Sequence, residues 1–228
     1  TLADARTLYA DILTWYDWDF AAAEREYQNT LELDSLNVLG YALYLSTQER
    51  HAEAISMIER RLAADPNDPY VWVNAGWRYL NAGQTGKAVE AAMQAADHSD
   101  VPSIIGWSRL AEGDTGAAVE VFESALKTQG RTVRNLSNLV VAYFRDGRRS
   151  DAQKLFEELL EFDTENHVAS ESMAAMYFAA GDADRGFEYL EKSYDERARG
   201  MIFLRVSEYL RGYRDDPRYL DLVARVGF

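Results

Sequence analysis

The chain has 228 residues, 47% of them hydrophobic and 12% aromatic, enough for a continuous core. A formal charge of −14 argues against direct nucleic-acid binding, which rests on clustered Lys and Arg displacing counterions from phosphate. The longest uncharged run, Ser35 to Gln48, has 14 residues, short of the roughly 18 to 20 of a membrane span; the chain reads as soluble, and its lack of cysteine leaves the compartment open.

Read from the N-terminus, the sequence divides into helix pairs. The first unit, Asp4 to Asp34, has Trp18 where its inner turn calls for glycine. The flanking Asp17 and Asp19 suit caps and backbone contacts better than a carboxylate pair. The second, Ser35 to Asp68, ends at Asp65-Pro66-Asn67-Asp68-Pro69, where Asp68 is placed to N-cap the next helix and Pro69 to begin it. The third runs from Pro69 to about His98 and carries Trp72, Ala75, Gly76 and Tyr79 on its first helix, then Ala88, Ala92 and Ala95 on its second. Ser99 to Thr132, Val133 to Asn166 and His167 to about Arg199 complete six units, leaving 200–228 as a cap. In the cap, Asp216 and Pro217 open a short helix with Tyr219, Leu220, Leu222, Val223 and Val226 on one face, expected to cover the apolar side of the last unit.

The units are internal repeats. Gly83, Gly113, Gly147 and Gly181 open equivalent turns, each followed five residues later by Ala88, Ala118, Ala152 or Gly186, at spacings of 30, 34 and 34. A helix pair recurring at about 34 residues is the tetratricopeptide (TPR) period. Small residues pair across the helices: Ala42 with Ala54, Gly76 with Ala88, Gly106 with Ala118, Ala174 with Gly186, and the bulkier Val140 with Ala152. Such pairs let helices approach closely. The first and third units are short, with intervals of 31 (Ala23 to Ala54) and 30 (Ala88 to Ala118), and predict a shortened helix or tighter turn at each. The fold class is therefore all-α, a TPR-type α-solenoid of about six helix pairs with a C-terminal capping helix.

No constellation of catalytic or metal-binding residues stands out. His51, His98 and His167 fall in separate units, without a second ligand at helical spacing. The glycine turns lack the Lys-Ser/Thr pair of a phosphate loop. Asn135-Leu136-Ser137 matches a glycosylation acceptor but lies within a predicted helix. No cofactor is expected.

The informative surface is the concave groove. Mapped onto it are Leu39 and Leu43, then Tyr70, Val73, Asn74, Trp77 and Leu80, then Ser103, Trp107 and Leu110, then Arg134, Ser137, Asn138, Val141 and Phe144. Tyr70, Val73, Asn74, Trp77, Trp107, Arg134, Asn138, Val141 and Phe144 form the candidate binding site. Trp77 and Trp107 occupy equivalent positions of adjacent units, either as an exposed aromatic strip or packed between inner helices. The Lys and Asn of the TPR carboxylate clamp are absent from their positions, so an acidic chaperone tail is not the expected ligand. Charge is uneven: residues 197–228 carry seven Arg and four acids, a net +3, leaving −17 on residues 1–196. The tail arginines are expected to pair with acids of the cap and the preceding repeat.

The strings WYDWDFAAAEREYQNTLELD, ERHAEAISMIERRLAADP, SYDERARGMIFLRVS and YRDDPRYLDLVARVGF carry a closer resemblance. They resemble the C-terminal TPR module of bacterial multidomain signalling proteins: winged-helix transcription regulators, receptor-like serine/threonine kinases and nucleotide cyclases. The resemblance implies a non-enzymatic input or scaffold domain, cytoplasmic or periplasmic. It would bind a protein or peptide partner and be covalently linked to an effector domain in a longer protein. A sensor trapping a small ligand in the aromatic groove is the alternative, and the end helices offer a route to a homodimer.

Overall fold

The computed structural model describes residues 1–166 and 168–228, with side chains outside 162–167; His167 lies outside the described residues. Six helix pairs follow in order: α1 (Leu2–Ile12) with α2 (Phe20–Leu33), α3 (Leu39–Thr47) with α4 (His51–Ala64), α5 (Pro69–Asn81) with α6 (Thr85–Gln94), α7 (Val101–Glu112) with α8 (Thr115–Gln129), α9 (Val133–Arg145) with α10 (Arg149–Asn166), and α11 (Ser170–Ala180) with α12 (Ala183–Asp195). Two 3-10 turns, Arg199–Phe203 and Glu208–Tyr213, lead to α13 (Pro217–Val226). The chain is an all-α, TPR-type solenoid; no helix among the described residues is long and apolar enough to cross a membrane.

Local chemistry sets the boundaries. Asp19, Asp68, Asp114, Thr132, Asp182 and Asp216 each accept a first-turn backbone N–H at the N-cap of their helices. The inner turns need a left-handed residue, supplied by Gly83, Gly113, Gly147 and Gly181 at φ of 73°, 81°, 79° and 87°. The equivalent turns of the first two units use Trp18 (φ 56°) and Glu49 (φ 61°) instead. In the first unit, α1 runs on into a π-helical turn, Leu13–Asp17, before Trp18 stops it. In the third unit, α6 has only 10 residues. These are the two short units.

The small residues act at the crossings. A Cβ on Gly76 would meet Ile104 at 3.0 Å and the Ala88 carbonyl at 3.4 Å. On Gly106 it would fall 2.2 Å from the Phe122 ring, so this crossing is closed by an aromatic face more than by Ala118.

The solenoid does not end in a free cap. One apolar cluster joins Trp18 and Phe20 of the first unit to Leu190 of the last and to Tyr219, Leu222 and Val226 of α13. Trp18 packs on Tyr194 with ring centroids 5.2 Å apart and carries the Arg197 guanidinium at 4.4 Å. Phe20 stacks on Phe228 at 5.0 Å. Arg197 Nη1 donates to the Tyr16 and Asp17 carbonyls at 3.2 and 3.4 Å, and Arg199 lies over the Trp15 ring at 4.0 Å. Arg205 pairs with Glu49, and Arg214 approaches the same carboxylate at 3.6 Å. The expected capping role thus extends further: α13 covers the last pair and also joins it to the first. The tail arginines pair within the last unit and cap, as Arg218 with Asp184 and Asp216 and Arg225 with Glu191 and Asp221, and also reach the first and second units. Superhelical twist carries the two ends into contact.

Candidate binding cavity on the concave face

Helix α5 builds the centre of the concave wall. Pro69 starts it, the Asp68 side chain accepts from the Tyr70 N–H, and the helical period then turns Tyr70, Val73, Asn74 and Trp77 inward. Trp107 of α7 and Arg134 and Asn138 of α9 continue the wall around a cavity of about 1170 Å³. Tyr70 is its most open aromatic, 57% exposed. Val73 and Asn138 are buried in the wall. Val141 lines a second cavity of about 370 Å³ that shares Trp107 and Asn138. Phe144 borders neither cavity and meets the edge of Phe156, ring centroids 6.5 Å apart. Leu110 is buried in the core.

The two tryptophans are half-buried and each is tied by its indole N–H. Trp77 Nε1 donates to Asp100 Oδ2 at 3.3 Å, and the other oxygen of Asp100 takes the Arg134 guanidinium. Trp107 Nε1 donates to Asn138 Oδ1 at 3.1 Å, while Asn138 Nδ2 donates to Ser103 Oγ at 3.1 Å. The strip is therefore a wall with specified rotamers: its polar edges are consumed between neighbouring helices, and ring surface faces the cavity.

The opposite wall comes from the tail. Arg199, Phe203, Val206, Ser207, Glu208, Tyr209, Arg211 and Arg214 border the same cavity, so the concave channel is bounded by the protein's own C-terminal segment. Glu208 is anchored to Arg145 of α9 at 2.8 Å. Burial raises the Tyr209 hydroxyl well above the usual phenol range.

The cavity also contains a residue that groove mapping missed. Arg78 is only 4% exposed, and its Nε and Nη1 are buried without a hydrogen-bond partner. Burial pushes its guanidinium down to about 10. Its signal in the sequence was a cation at helical spacing after Val71 and Ala75, on a buried stripe of α5 where an apolar residue is the norm. Burial likewise pushes the half-buried His51 down, with Glu49 opposing and Arg78, Arg214 and Arg205 reinforcing the effect. Among the described residues no group of three or more His, Cys, Asp or Glu is placed to hold a metal ion. Asn135 is buried and donates to the Gly130 carbonyl at 2.9 Å, unsuited to carrying a glycan.

Fold and cavity together define a class, a TPR-type α-solenoid with an aromatic concave chamber. Residues 109–175 match the family model described as tetratricopeptide repeat. No curated protein sequence matches the chain significantly. Among solved structures, one reported as the functional characterisation of Pseudomonas aeruginosa PilF is similar at a TM-score of 0.59 and 16% identity, covering 98% of this chain and 97% of that one. A tetratricopeptide repeat protein from Parabacteroides merdae is similar at 0.57 and 16%, covering 99% and 93%. A MamA protein is similar at 0.52 and 20%, covering 72% and 92%. At these identities the likeness is one of fold.

Proposed function

We propose that this chain is the non-catalytic input or scaffold domain of a bacterial regulatory protein, linked in the full-length chain to an effector, and that it receives a protein segment in its concave chamber. The carrying observation is the chamber itself, about 1170 Å³, with Tyr70 open to it and ring surface of Trp77 and Trp107 along the wall. Aromatic side chains whose rotamers are already fixed lose little entropy on binding and are favoured as anchors. A solenoid suits signal input because small rotations between repeats add along its length.

A photo-cross-linking amino acid placed at Tyr70, and separately at the exposed Met93 of α6, tests this in lysate of the native organism. Adducts specific to position 70 are expected. Adducts only from position 93 would move the partner surface to the outer helices. A second reading, a small-ligand sensor, draws support from the tail, which walls the chamber and turns an open groove into a bounded space.

A further inference from the structure

Among the described residues, one buried charge has no counterion. The Arg78 guanidinium forms no hydrogen bond or ion pair among the described residues; Nε and Nη1 are enclosed, leaving Nη2 as the nitrogen open to the cavity. Burying a cation without a partner is strongly unfavourable, and an apolar side chain of similar size would pack there at lower free energy. Neighbouring cavity arginines do not share this state: Arg61 approaches Asp65 and Asp68, Arg134 pairs with Asp100, Arg214 approaches Glu49, Arg199 lies over the Trp15 ring, and Arg211 is exposed to solvent. Of the six arginines on the cavity lining, Arg78 is the one that is buried with its bonding capacity unspent.

We propose that Arg78 forms the floor of a carboxylate-binding site and that its ligand is an aromatic or apolar monocarboxylate. Charge selects the carboxylate. A single buried guanidinium balances one negative charge, and the six acids of the cavity lining, Asp4, Asp11, Asp34, Asp65, Asp100 and Glu208, match its six arginines, leaving no excess of positive charge for a phosphate dianion. A carboxylate also matches the planar fork of guanidinium donors. The walls select the apolar body: Trp15, Tyr70, Trp77, Trp107 and Tyr209 line the cavity. At about 1170 Å³ the chamber has room for more than a small acid, since small-molecule sites span roughly 300 to 1,000 Å³. A free acid or the C-terminal carboxylate of a protein segment would supply the same group. The site rests on the reading that the concave chamber binds ligand, but not on that ligand being a protein.

The test is equilibrium dialysis of the full chain against radiolabelled benzoate at constant ionic strength. Saturable binding at one site is expected, weakened at least about tenfold in Arg78→Met and less in Arg78→Lys, which keeps the charge but loses the fork. N-acetylphenylalanine should compete, whereas its amide and inorganic phosphate should not. A peptide ending in free phenylalanine that competes better than N-acetylphenylalanine would identify a chain end as the source of the carboxylate; the reverse order would identify a small acid. No saturable binding up to about 10 mM benzoate would overturn the proposal. Equal binding by folded Arg78→Met, or displacement by phosphate as readily as by N-acetylphenylalanine, would do the same. Thermal unfolding without ligand separates binding from folding: Arg78→Met should melt at or above wild type because it removes an unpaired charge. A melting point several degrees lower, with no benzoate shift in wild type, would make the charge structural. Benzoate binding without adducts at position 70 would retain this site and discard the protein-input reading, and adducts without benzoate binding would do the opposite.

Discussion

Replacing Trp18 by glycine separates two opposing contributions at the junction of the two ends. Trp18 adopts φ 56° at a turn where four other units use glycine. Left-handed backbone costs a non-glycine residue about 1 to 2 kcal/mol, so Trp18→Gly relieves strain of that order. The same change deletes an indole that is 8% exposed, packed 5.2 Å from Tyr194 and capped by Arg197. Truncating a buried tryptophan costs about 3 to 5 kcal/mol. The packing contribution wins, for a net loss of about 1 to 4 kcal/mol. In a domain of this size that lowers the melting temperature by about 2 to 16 °C. Thermal unfolding followed by circular dichroism measures the loss, and amide hydrogen exchange locates it. Protection should fall together in α1, α2 and α13, because the junction joins them. A neutral or stabilising Trp18→Gly, or exchange that rises in α1 and α2 alone, would refute the claim that the ends hold each other.

Two further outcomes follow from packing and protonation. Gly106→Ala drives a methyl to 2.2 Å from the nearly inaccessible Phe122 ring and should destabilise by about 1 to 2 kcal/mol, overpacking outweighing the helix propensity gained; Gly116→Ala, with nothing within 4 Å, should be neutral or stabilising, and urea midpoints will show whether the signs differ. Burial lowers the folded-state affinity of His51 for a proton. Below the unfolded value of about 6.5 the unfolded chain then binds more protons, so stability falls on acidification through that window and is constant above it. The stability of wild type relative to His51→Gln, from urea titrations across this range, should therefore decrease as pH falls; an increase would contradict the stated cause.

The repeats were legible because solenoid packing is local. Gly76 lying against Ala88, or Asp68 capping α5, needs only neighbours a few turns away, so spacing reveals it, whereas the Phe122 ring against Gly106 was not read from spacing. Helical phase likewise placed Tyr70, Asn74, Trp77, Trp107 and Arg134 on the chamber wall, since that phase is fixed once Pro69 and Thr132 set the helix starts. Phase did not show that Phe144 turns to Phe156, or that the indole N–H groups are occupied, because these depend on the partner helix.

Four stretches of the sequence, Trp15 to Asp34, Glu49 to Pro66, Ser193 to Ser207 and Tyr213 to Phe228, come together in the closed solenoid. Trp15, Trp18 and Phe20 come from one stretch, Glu49 from another, and Arg197, Arg199, Arg205 and Phe228 from the last two; all meet at the junction or across it. Glu49 and Trp18, the non-glycine residues of the left-handed inner turns, are both held by the tail. Sequence by itself determined the repeat, its crossings, its caps and the inward phase of its first helices, all set by interactions between adjacent segments. Only the tertiary structure decided that the ends join, that the tail walls the groove and that Arg78 lies buried beneath it without a counterion among the described residues. The Arg197 bond to Tyr16 spans 181 residues, and such contacts depend on twist accumulated over six helix pairs, which no local spacing records.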